Sequence, residues 1–248
     1  MLYTQTFGTG NSKGLWLHGW LGSGEEGAVL QASLGSSFSL KCPDLPGHGK
    51  TAMNGFSLSK TLEAIAGLSE DCAWTGGYSM GGRLLMMAAA RFPDAFRNLI
   101  IESASLGFSD PEMRGLRRKK DEERADLLQR DGLEKFCESW YQMEMWGGLQ
   151  DFPDRKGDEE ALGRALEKFS VGVQPDLRLW LQTTSCRVLW LAGTRDAVYA
   201  EQADWVRKNT RHLISFFDCG HNVHHQAPKE WAQVIDDFLK GPLYLAEQ

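Results

Sequence analysis

The chain has 248 residues, of which 42% are hydrophobic and 24% are charged, and its net charge is −6 at neutral pH. This length and composition suit a full hydrophobic core, and we expect one domain, spanning residues 1–248, that carries a small insertion. The excess of acidic residues disfavours nucleic acid as a partner, because proteins that bind it need a basic surface.

Targeting and metal-binding signals are missing from the sequence. It has no apolar run of about 18 residues, and its first residues form neither the basic region nor the apolar core of a signal peptide. We therefore expect a soluble, cytoplasmic protein that does not bind membranes. The five cysteines are widely scattered and the histidines do not have the spacing of metal ligands, so we expect no disulfide framework, metal or other cofactor.

Short apolar segments alternate with helical patterns along most of the chain. This alternation is typical of the α/β class, with a mostly parallel sheet and helices on both faces. In such a sheet, ligands bind at the carboxyl ends of the strands. The predicted strands cover residues 2–7, 14–18, 38–41, 72–76, 98–102, 187–192 and 212–217, and the predicted helices cover 26–34, 58–68, 80–91, 200–208 and 229–239.

The alternation stops over residues 104–184, which we call the cap segment. This segment shows helical patterns at 113–129, 132–143 and 159–169 and is too long for an ordinary connection. We expect it to form a helical cap, inserted in the domain above the site. Its densest charge run, residues 117–124, predicts mainly a solvated helix face with charge pairs four residues apart.

A G-x-S-x-G sequence, Gly77-Tyr78-Ser79-Met80-Gly81, lies between a predicted strand and a predicted helix. The two glycines allow a sharp turn, which would expose the serine hydroxyl at the edge of the sheet. We therefore predict that Ser79 is a nucleophile or base, provided that a histidine and an acid accompany it.

A histidine and an acid follow in the required settings. Asp196 comes after the predicted strand 187–192, and His221 comes after the strand 212–217. The order serine, aspartate, histidine is that of the α/β-hydrolase fold. Asp218 and Glu102 are alternative acids, but Asp218 lies close to His221 in sequence, and Asp196 follows the strand whose exit loop carries the acid in this fold.

A His18-Gly19-Trp20 turn follows the strand at 14–18. In this fold such a turn supplies an oxyanion-hole donor, so we predict that the backbone N–H groups of Trp20 and Met80 bind a developing negative charge. His18 is expected to shape this loop and to border the pocket. Arg83 lies one helical turn after Ser79, near a helix N-terminus that favours anions, and this position indicates an anionic substrate. The alternative is an ion pair between Arg83 and a surface acid.

Six segments together resemble the 2-succinyl-6-hydroxy-2,4-cyclohexadiene-1-carboxylate synthase family, a branch of the α/β hydrolases. The resemblance spans nearly the whole chain. The most discriminating segments are GYSMGGR, the SWY of the cap segment and QPDL near its end. The segments are residues 17–25, 43–49, 77–83, 139–141, 174–177 and 220–224.

This resemblance implies a lyase of menaquinone or phylloquinone synthesis. Its triad removes a proton near the succinyl carbonyl of the substrate, the oxyanion hole holds the enolate, and pyruvate leaves as the ring gains a conjugated diene. The substrate carries several carboxylates, which arginine binds better than lysine does. The implied substrate contacts are Arg83, Arg117, Arg155, Tyr78, Trp140 and Trp146, with ordinary core packing as the alternative for the aromatic side chains.

Other functions are compatible with the same triad. A carboxylesterase, a thioesterase or a carbon–carbon bond hydrolase would use these residues for acyl transfer, and a ligand-binding receptor could keep them without using them. The fold by itself does not decide among these functions.

Overall fold

The computed structural model describes residues 1–149 and 154–241, and it contains a seven-stranded sheet. The strands lie in the order β1-β3-β2-β4-β5-β6-β7. β1 runs antiparallel to β3, and all other neighbouring pairs are parallel. The strands are β1 (Thr4–Phe7), β2 (Ser12–Leu17), β3 (Phe38–Pro43), β4 (Trp74–Tyr78), β5 (Asn98–Glu102), β6 (Arg187–Gly193) and β7 (Leu213–Phe217).

Helices cover both faces of the sheet, with α1 and α10 on one face and α2, α3 and α8 on the other. The longest helix, α4, is rich in charged residues, and within the described residues no helix has the length and apolar content needed to cross a bilayer. The helices are α1 (Gly27–Leu34), α2 (Leu58–Ser69), α3 (Met80–Arg91), α4 (Pro111–Asp131), α5 (Leu133–Trp140), α6 (Glu159–Lys168), α7 (Arg178–Thr183), α8 (Ala197–Asn209), α9 (Val223–Gln226) and α10 (Pro228–Lys240).

The predicted α/β class with a mostly parallel sheet is confirmed. Every predicted strand and helix of the sheet layers has a counterpart within a few residues of its expected bounds. The sequence pattern did not predict α7 and α9, because a helix of one or two turns is too short to show a period. The single turn of α9 begins where the Asn222 side chain accepts a hydrogen bond from the N–H of His225 at 3.1 Å.

The described part of the cap segment, which excludes residues 150–153, contains α4 to α7 and a 3₁₀ turn at Glu144–Trp146, and no strand. Its apolar cluster includes Leu21, which belongs to the loop after β2, together with Leu128, Phe136 and Trp146. The helices of the cap segment are therefore packed against the loop that was predicted to supply an oxyanion-hole donor.

The charge run on α4 differs in part from the expected solvated face. Lys119 and Lys120 are exposed, but Asp121 is fully buried. Its carboxylate accepts hydrogen bonds from Arg117 at 2.8 Å and from Arg124 at 3.1 Å, and a third from a buried serine hydroxyl at 2.7 Å. A buried carboxylate is retained only with such partners, which a one-dimensional charge pattern does not reveal.

A tight turn joins β4 to α3. Ser79, between the two elements, has a φ of 51°, which is rare for a residue with a side chain. The turn also brings α3 against β2, so that a Cβ atom on Gly81 would lie 2.2 Å from the carbonyl oxygen of Leu17. A side chain at position 81 would therefore force the backbone apart.

We expect Gly81→Ala to lower the free energy of unfolding by about 2–3 kcal/mol, because the added methyl group meets backbone that cannot move aside. Gly67→Ala is the matched control. Gly67 is an exposed residue of α2 whose added Cβ meets nothing within 4 Å, and alanine there should stabilise the helix by up to about 1 kcal/mol. Urea unfolding of both variants measures the difference, and equal midpoints would contradict the packing argument.

Candidate active site

The side chains of Ser79, His221 and Asp196 form one hydrogen-bonded chain. Nε2 of His221 lies 2.9 Å from Oγ of Ser79, and Nδ1 lies 2.6 Å from Oδ2 of Asp196. His221 and Asp196 are buried, whereas Ser79 is half-buried. With Nδ1–H donating to the carboxylate, Nε2 is free to accept the serine proton, which is the arrangement that activates a serine hydroxyl.

The local chain holds both partners of the serine in place. Asp196 follows β6 and caps α8, where Oδ1 accepts a hydrogen bond from the N–H of Tyr199 at 3.4 Å. His221 follows β7, and its N–H donates to the carbonyl of Met145 in the 3₁₀ turn of the cap segment at 2.8 Å. The imidazole is therefore positioned by Asp196, in the loop after β6, and by the cap segment.

Asp218, one alternative acid, is remote from the imidazole. Its side chain is 83% exposed and forms a bidentate ion pair with Arg195, at 2.9 and 3.0 Å. This pair occupies both carboxylate oxygens on the surface, so the structure gives Asp218 no contact with His221.

Glu102, the other alternative acid, is fully buried beneath the histidine loop. Its carboxylate accepts hydrogen bonds from the backbone N–H of Val223 at 2.9 Å and from Nδ1 of His224 at 2.8 Å. Its backbone carbonyl accepts the N–H of Ser79 at 2.8 Å. Glu102 thus stabilises both the serine turn and the histidine loop through hydrogen bonds, and none of these bonds is to His221.

The two predicted oxyanion donors, the backbone N–H groups of Trp20 and Met80, have no hydrogen-bond partner in the described part of the chain. The Met80 N–H belongs to the first turn of α3, where the helix dipole favours negative charge. The Trp20 side chain is fixed by its indole N–H, which donates to the carbonyl of Leu162 at 3.0 Å.

His18, which was predicted to shape the loop and to border the pocket, has backbone partners for both ring nitrogens. Nδ1 of its buried ring bonds the carbonyl of Gly19 at 2.7 Å, and Nε2 accepts the N–H of Leu45 at 2.9 Å. Burial lowers the pKa of His18, which keeps the ring neutral. Because backbone groups use both ring nitrogens, His18 holds the loop before Trp20 in place and has no free ring nitrogen for a ligand.

Arg83 is 5% exposed and forms no ion pair with any carboxylate of the described residues. Its hydrogen bond is to Oε1 of Gln174, at 3.4 Å, and Gln174 in turn donates to the carbonyl of Ser105 at 2.8 Å. Burial lowers the pKa of Arg83 to about 10, so the guanidinium is still charged at neutral pH. The alternative of a surface ion pair is excluded, and a buried charge without a counter-ion favours an anionic ligand.

Arg117 reaches from α4 of the cap segment towards the same region. Its Nε is held by Asp121 at 2.8 Å, and its side chain is 25% exposed. Burial alone would lower the pKa of Arg117, but Tyr199 and Asp121 outweigh burial and raise the pKa. Besides burial, the positive charge of Arg117 lowers the pKa of Arg83, whereas the negative charge of Asp121 raises it.

Arg155 is placed differently. Its guanidinium forms a partly buried ion pair with Glu26, and its Nε donates to the hydroxyl of Tyr141 at 2.6 Å. These contacts, despite burial, raise the pKa of Arg155. Two donors of Arg155 are therefore already used, so a carboxylate would have to compete with Glu26 for this guanidinium.

Aromatic rings surround the imidazole of His221. The rings of Tyr78, Trp146 and Tyr199 lie 5.2, 5.5 and 4.5 Å from it, centroid to centroid. Trp140 is one step removed, at 6.0 Å from Trp146. Tyr78 and Trp146 also belong to apolar clusters, which agrees with the alternative of core packing, and their contact with substrate stays a prediction.

Sequence reasoning missed Tyr199, Gln174 as the partner of Arg83, and Arg124. Tyr199 had a weak signal, since it lies one turn after the predicted acid at the start of a helix. Gln174 lies in a segment that supported the family resemblance, but its contact with Arg83 depends on how the cap segment folds.

The sequence matches known proteins over most of its length. Residues 15–234 match the sequence model of the alpha/beta hydrolase family. The chain is 31% identical to a 2-succinyl-6-hydroxy-2,4-cyclohexadiene-1-carboxylate synthase of Yersinia enterocolitica over 248 residues, covering 93% of this chain and 88% of that protein. It is 27% identical to Protein PHYLLO, chloroplastic, of Arabidopsis thaliana, covering 92% of this chain but only 15% of that protein's length.

Solved structures resemble the fold. MenH from S. aureus superposes with a TM-score of 0.85 at 23% identity, over 97% of this chain and 98% of that chain. A thermophilic esterase from Thermogutta terrifontis superposes with a TM-score of 0.77 at 22% identity, over 96% and 93%. At these identities the two likenesses show the fold alone.

A serine-directed fluorophosphonate should label Ser79, and Asp196→Asn should slow the labelling by a factor on the order of 10³–10⁴, because the imidazole loses its orientation and its stabilising charge. Asp218→Asn is the control and should label like the parent protein, since Asp218 pairs with Arg195 at the surface. Intact-protein mass spectrometry measures the labelling rates of the parent protein and of the two variants. Similar rates in both variants would mean that Asp196 does not support the serine.

Proposed function

The chain belongs to the 2-succinyl-6-hydroxy-2,4-cyclohexadiene-1-carboxylate synthase family of α/β hydrolases, and we propose that it eliminates pyruvate from 2-succinyl-5-enolpyruvyl-6-hydroxy-3-cyclohexene-1-carboxylate in menaquinone or phylloquinone synthesis. The observation that carries this proposal is the buried, unpaired charge of Arg83, one helical turn from Ser79. A neutral ester would leave that charge without a counter-ion, whereas a substrate with several carboxylates supplies one.

The reaction moves one proton and breaks one carbon–oxygen bond. The base takes the proton from ring carbon 2, whose electrons are shared with the succinyl carbonyl as an enolate. These electrons then form a double bond between carbons 2 and 3, the existing double bond moves to carbons 4 and 5, and the bond from carbon 5 to oxygen breaks. The leaving enolpyruvate takes up a proton and becomes pyruvate.

In this proposal Ser79 and His221 remove the proton together. The serine oxygen faces the substrate, and the imidazole accepts the proton through Nε2 while Asp196 stabilises the positive ring. The 2.9 and 2.6 Å contacts of His221 support this role, since they are short enough for proton transfer and orientation. No covalent acyl intermediate is required, so a hydrolase triad serves here as a base.

The enolate oxygen would lie against the backbone N–H groups of Trp20 and Met80. Negative charge develops on that oxygen as the proton leaves, and fixed donors in a buried site stabilise it without reorganising. Two features support this assignment, namely the lack of a competing acceptor in the described residues and the position of Met80 in the first turn of α3.

Arg83 and Arg117 would bind carboxylates of the substrate. The hydrogen bond to Gln174 uses one N–H of the Arg83 guanidinium and leaves the others for a ligand. Asp121 binds Nε of Arg117, which leaves the terminal nitrogens of Arg117 for a ligand. Arg155 would bind a substrate carboxylate only if its guanidinium contacted that carboxylate and Glu26 at the same time. Trp140 and Trp146 would form the apolar wall that keeps water from the enolate.

Pyruvate release measured with a coupled lactate dehydrogenase assay tests the proposed reaction. The parent protein should release one pyruvate per precursor consumed, and Ser79→Ala should lose nearly all of this turnover. A panel of p-nitrophenyl esters distinguishes the alternatives, because rapid ester hydrolysis without pyruvate would identify a hydrolase. No turnover of either substrate would favour a receptor.

Arg83→Met should lower kcat/KM for the precursor by a factor of about 10²–10³, because a charge-assisted contact of a buried guanidinium is lost. Methionine replaces the aliphatic part of the arginine side chain and so leaves only a small cavity at position 83. Arg91→Met on the same helix is the control, since Arg91 pairs with Glu63 at the surface, and it should keep kcat/KM within twofold. Equal losses on the precursor and on a neutral ester would show that Arg83 only supports the fold.

Arg83 also predicts a pH dependence. Because burial lowers its pKa to about 10, the free enzyme should lose affinity for the precursor as the pH rises through about 10, and kcat/KM should fall there. A bound carboxylate favours the charged guanidinium, so kcat should fall only at higher pH. Initial rates at pH 8–11, with circular dichroism to exclude unfolding, measure both. The same fall in Arg83→Met would contradict the assignment.

A further inference from the structure

We infer that Arg124, on α4 of the cap segment, is a further substrate-binding residue whose guanidinium binds a carboxylate of the substrate. The inference rests on the proposed function, because it concerns how the same site holds its anion. The precursor carries one carboxylate on the ring, one on the succinyl arm and one on the enolpyruvyl group, and the proposed function assigns Arg83 and Arg117 to two of them. Arg155 already pairs with Glu26, so the third carboxylate still lacks a partner.

Arg124 belongs to the inward face of α4. It lies one helical turn after Asp121, two turns after Arg117 and one turn before Leu128, so these side chains follow one another along the same side of the helix. Asp121 and Leu128 are fully buried. Leu128 belongs to the apolar cluster that also contains Leu21, and this face of α4 therefore packs towards the loop that is proposed to supply an oxyanion-hole donor.

The guanidinium of Arg124 lies over the ring of Trp140, with its central carbon 5.0 Å from the ring centroid. Trp140 packs against Trp20 at 5.2 Å and against Trp146 at 6.0 Å, measured between ring centroids. Trp146 in turn contacts the imidazole of His221 at 5.5 Å. A single indole therefore separates Arg124 from the residue of the oxyanion hole and from the ring that packs on the catalytic imidazole.

Asp121 does not neutralise the arginines beside it. Its carboxylate binds Nε of Arg117 at 2.8 Å and Nη1 of Arg124 at 3.1 Å, so one negative charge is shared between two positive charges. The hydroxyl of Ser170 adds a hydrogen bond at 2.7 Å but no charge. Among the residues that the structure describes, no second carboxylate pairs with either arginine. One positive charge of this cluster therefore lacks a counter-ion, which favours an anionic ligand.

Arg124 also has donors for such a ligand. Its bond to Asp121 uses Nη1, and in the described part of the chain Nε and Nη2 form no further hydrogen bond. These two nitrogens match the two oxygens of a carboxylate. Burial and the positive charge of Arg117 both lower the pKa of Arg124, and a bound carboxylate would oppose both effects.

Two substitutions separate the charge of Arg124 from its bond to Asp121, because glutamine can still donate to Asp121 but is neutral, whereas lysine keeps the charge. Calorimetry with propane-1,2,3-tricarboxylate should give a dissociation constant about tenfold weaker for Arg124→Gln, and one within about threefold of the parent for Arg124→Lys. Arg130→Gln is the matched control, since Arg130 pairs with Asp131 at the exposed end of the same helix, and it should bind like the parent.

A purely structural role gives a different pattern. If Arg124 only held Asp121 in place, Arg124→Gln and Arg124→Lys would bind the tricarboxylate equally well, and this result would overturn the inference. No binding by the parent protein would overturn it as well. Urea unfolding midpoints of both variants identify any loss of affinity that follows from a loss of folding, and Arg124→Met, which keeps an apolar contact with Trp140, provides a second neutral variant.

A double-mutant cycle tests whether Arg124 contacts the anion directly or acts through Arg117. In the Arg117→Met background, Arg124→Gln should still weaken binding of the tricarboxylate by about tenfold, because the two guanidinium groups bind the anion separately. Loss of the effect in this background would mean that Arg124 only holds Asp121 against Arg117, and the direct contact would be wrong.

Steady-state pyruvate release relates the binding role to the reaction. Arg124→Gln should raise KM for the precursor about tenfold and keep kcat within about twofold of the parent, because the contact is made with a carboxylate and not with the reacting atoms. If the parent releases no pyruvate but the calorimetric pattern holds, the proposed reaction fails and the role of Arg124 stands. If the parent releases pyruvate and Arg124→Gln changes neither KM nor tricarboxylate affinity, the reaction stands and the role of Arg124 is wrong.

Discussion

The site depends on the buried positive charge of Arg83, which forms no ion pair within the described residues. Arg83 is 5% exposed, and its hydrogen bond is to an uncharged amide at 3.4 Å. Burial of an ion costs several kcal/mol when no counter-ion accompanies it, and that cost falls when an anion enters. Arg83 lies one turn after Ser79 on α3, and in the proposed function a carboxylate of the substrate supplies the missing counter-ion.

The cap segment and the sheet domain meet through the groups that would carry out the reaction. The N–H of His221 donates to Met145, and the indole of Trp20 donates to Leu162. Each of these acceptors belongs to the cap segment, while each donor belongs to a loop at the carboxyl end of a strand. The cap segment therefore contacts both the histidine loop and the loop that is proposed to supply an oxyanion-hole donor.

Local sequence signals were enough to predict the sheet and the serine turn. The spacing of apolar segments predicts which strands are buried. The glycines around Ser79 predict a tight turn that few other residues can adopt. The pairing of Arg155 with Glu26, the burial of Asp121 and the full use of the His18 ring were not predictable in this way. Each depends on segments that are distant in sequence, and charge or motif alone does not reveal whether an atom is already bonded.

A crystal structure of the Ser79→Ala variant with the intact precursor tests the central claim most directly. The account predicts one substrate carboxylate on the Arg83 guanidinium at about 2.7–2.9 Å, with ring carbon 2 facing the position of the missing hydroxyl and the succinyl carbonyl against the N–H groups of Trp20 and Met80. A complex in which Arg83 keeps Gln174 as its partner while every substrate carboxylate faces solvent would contradict it.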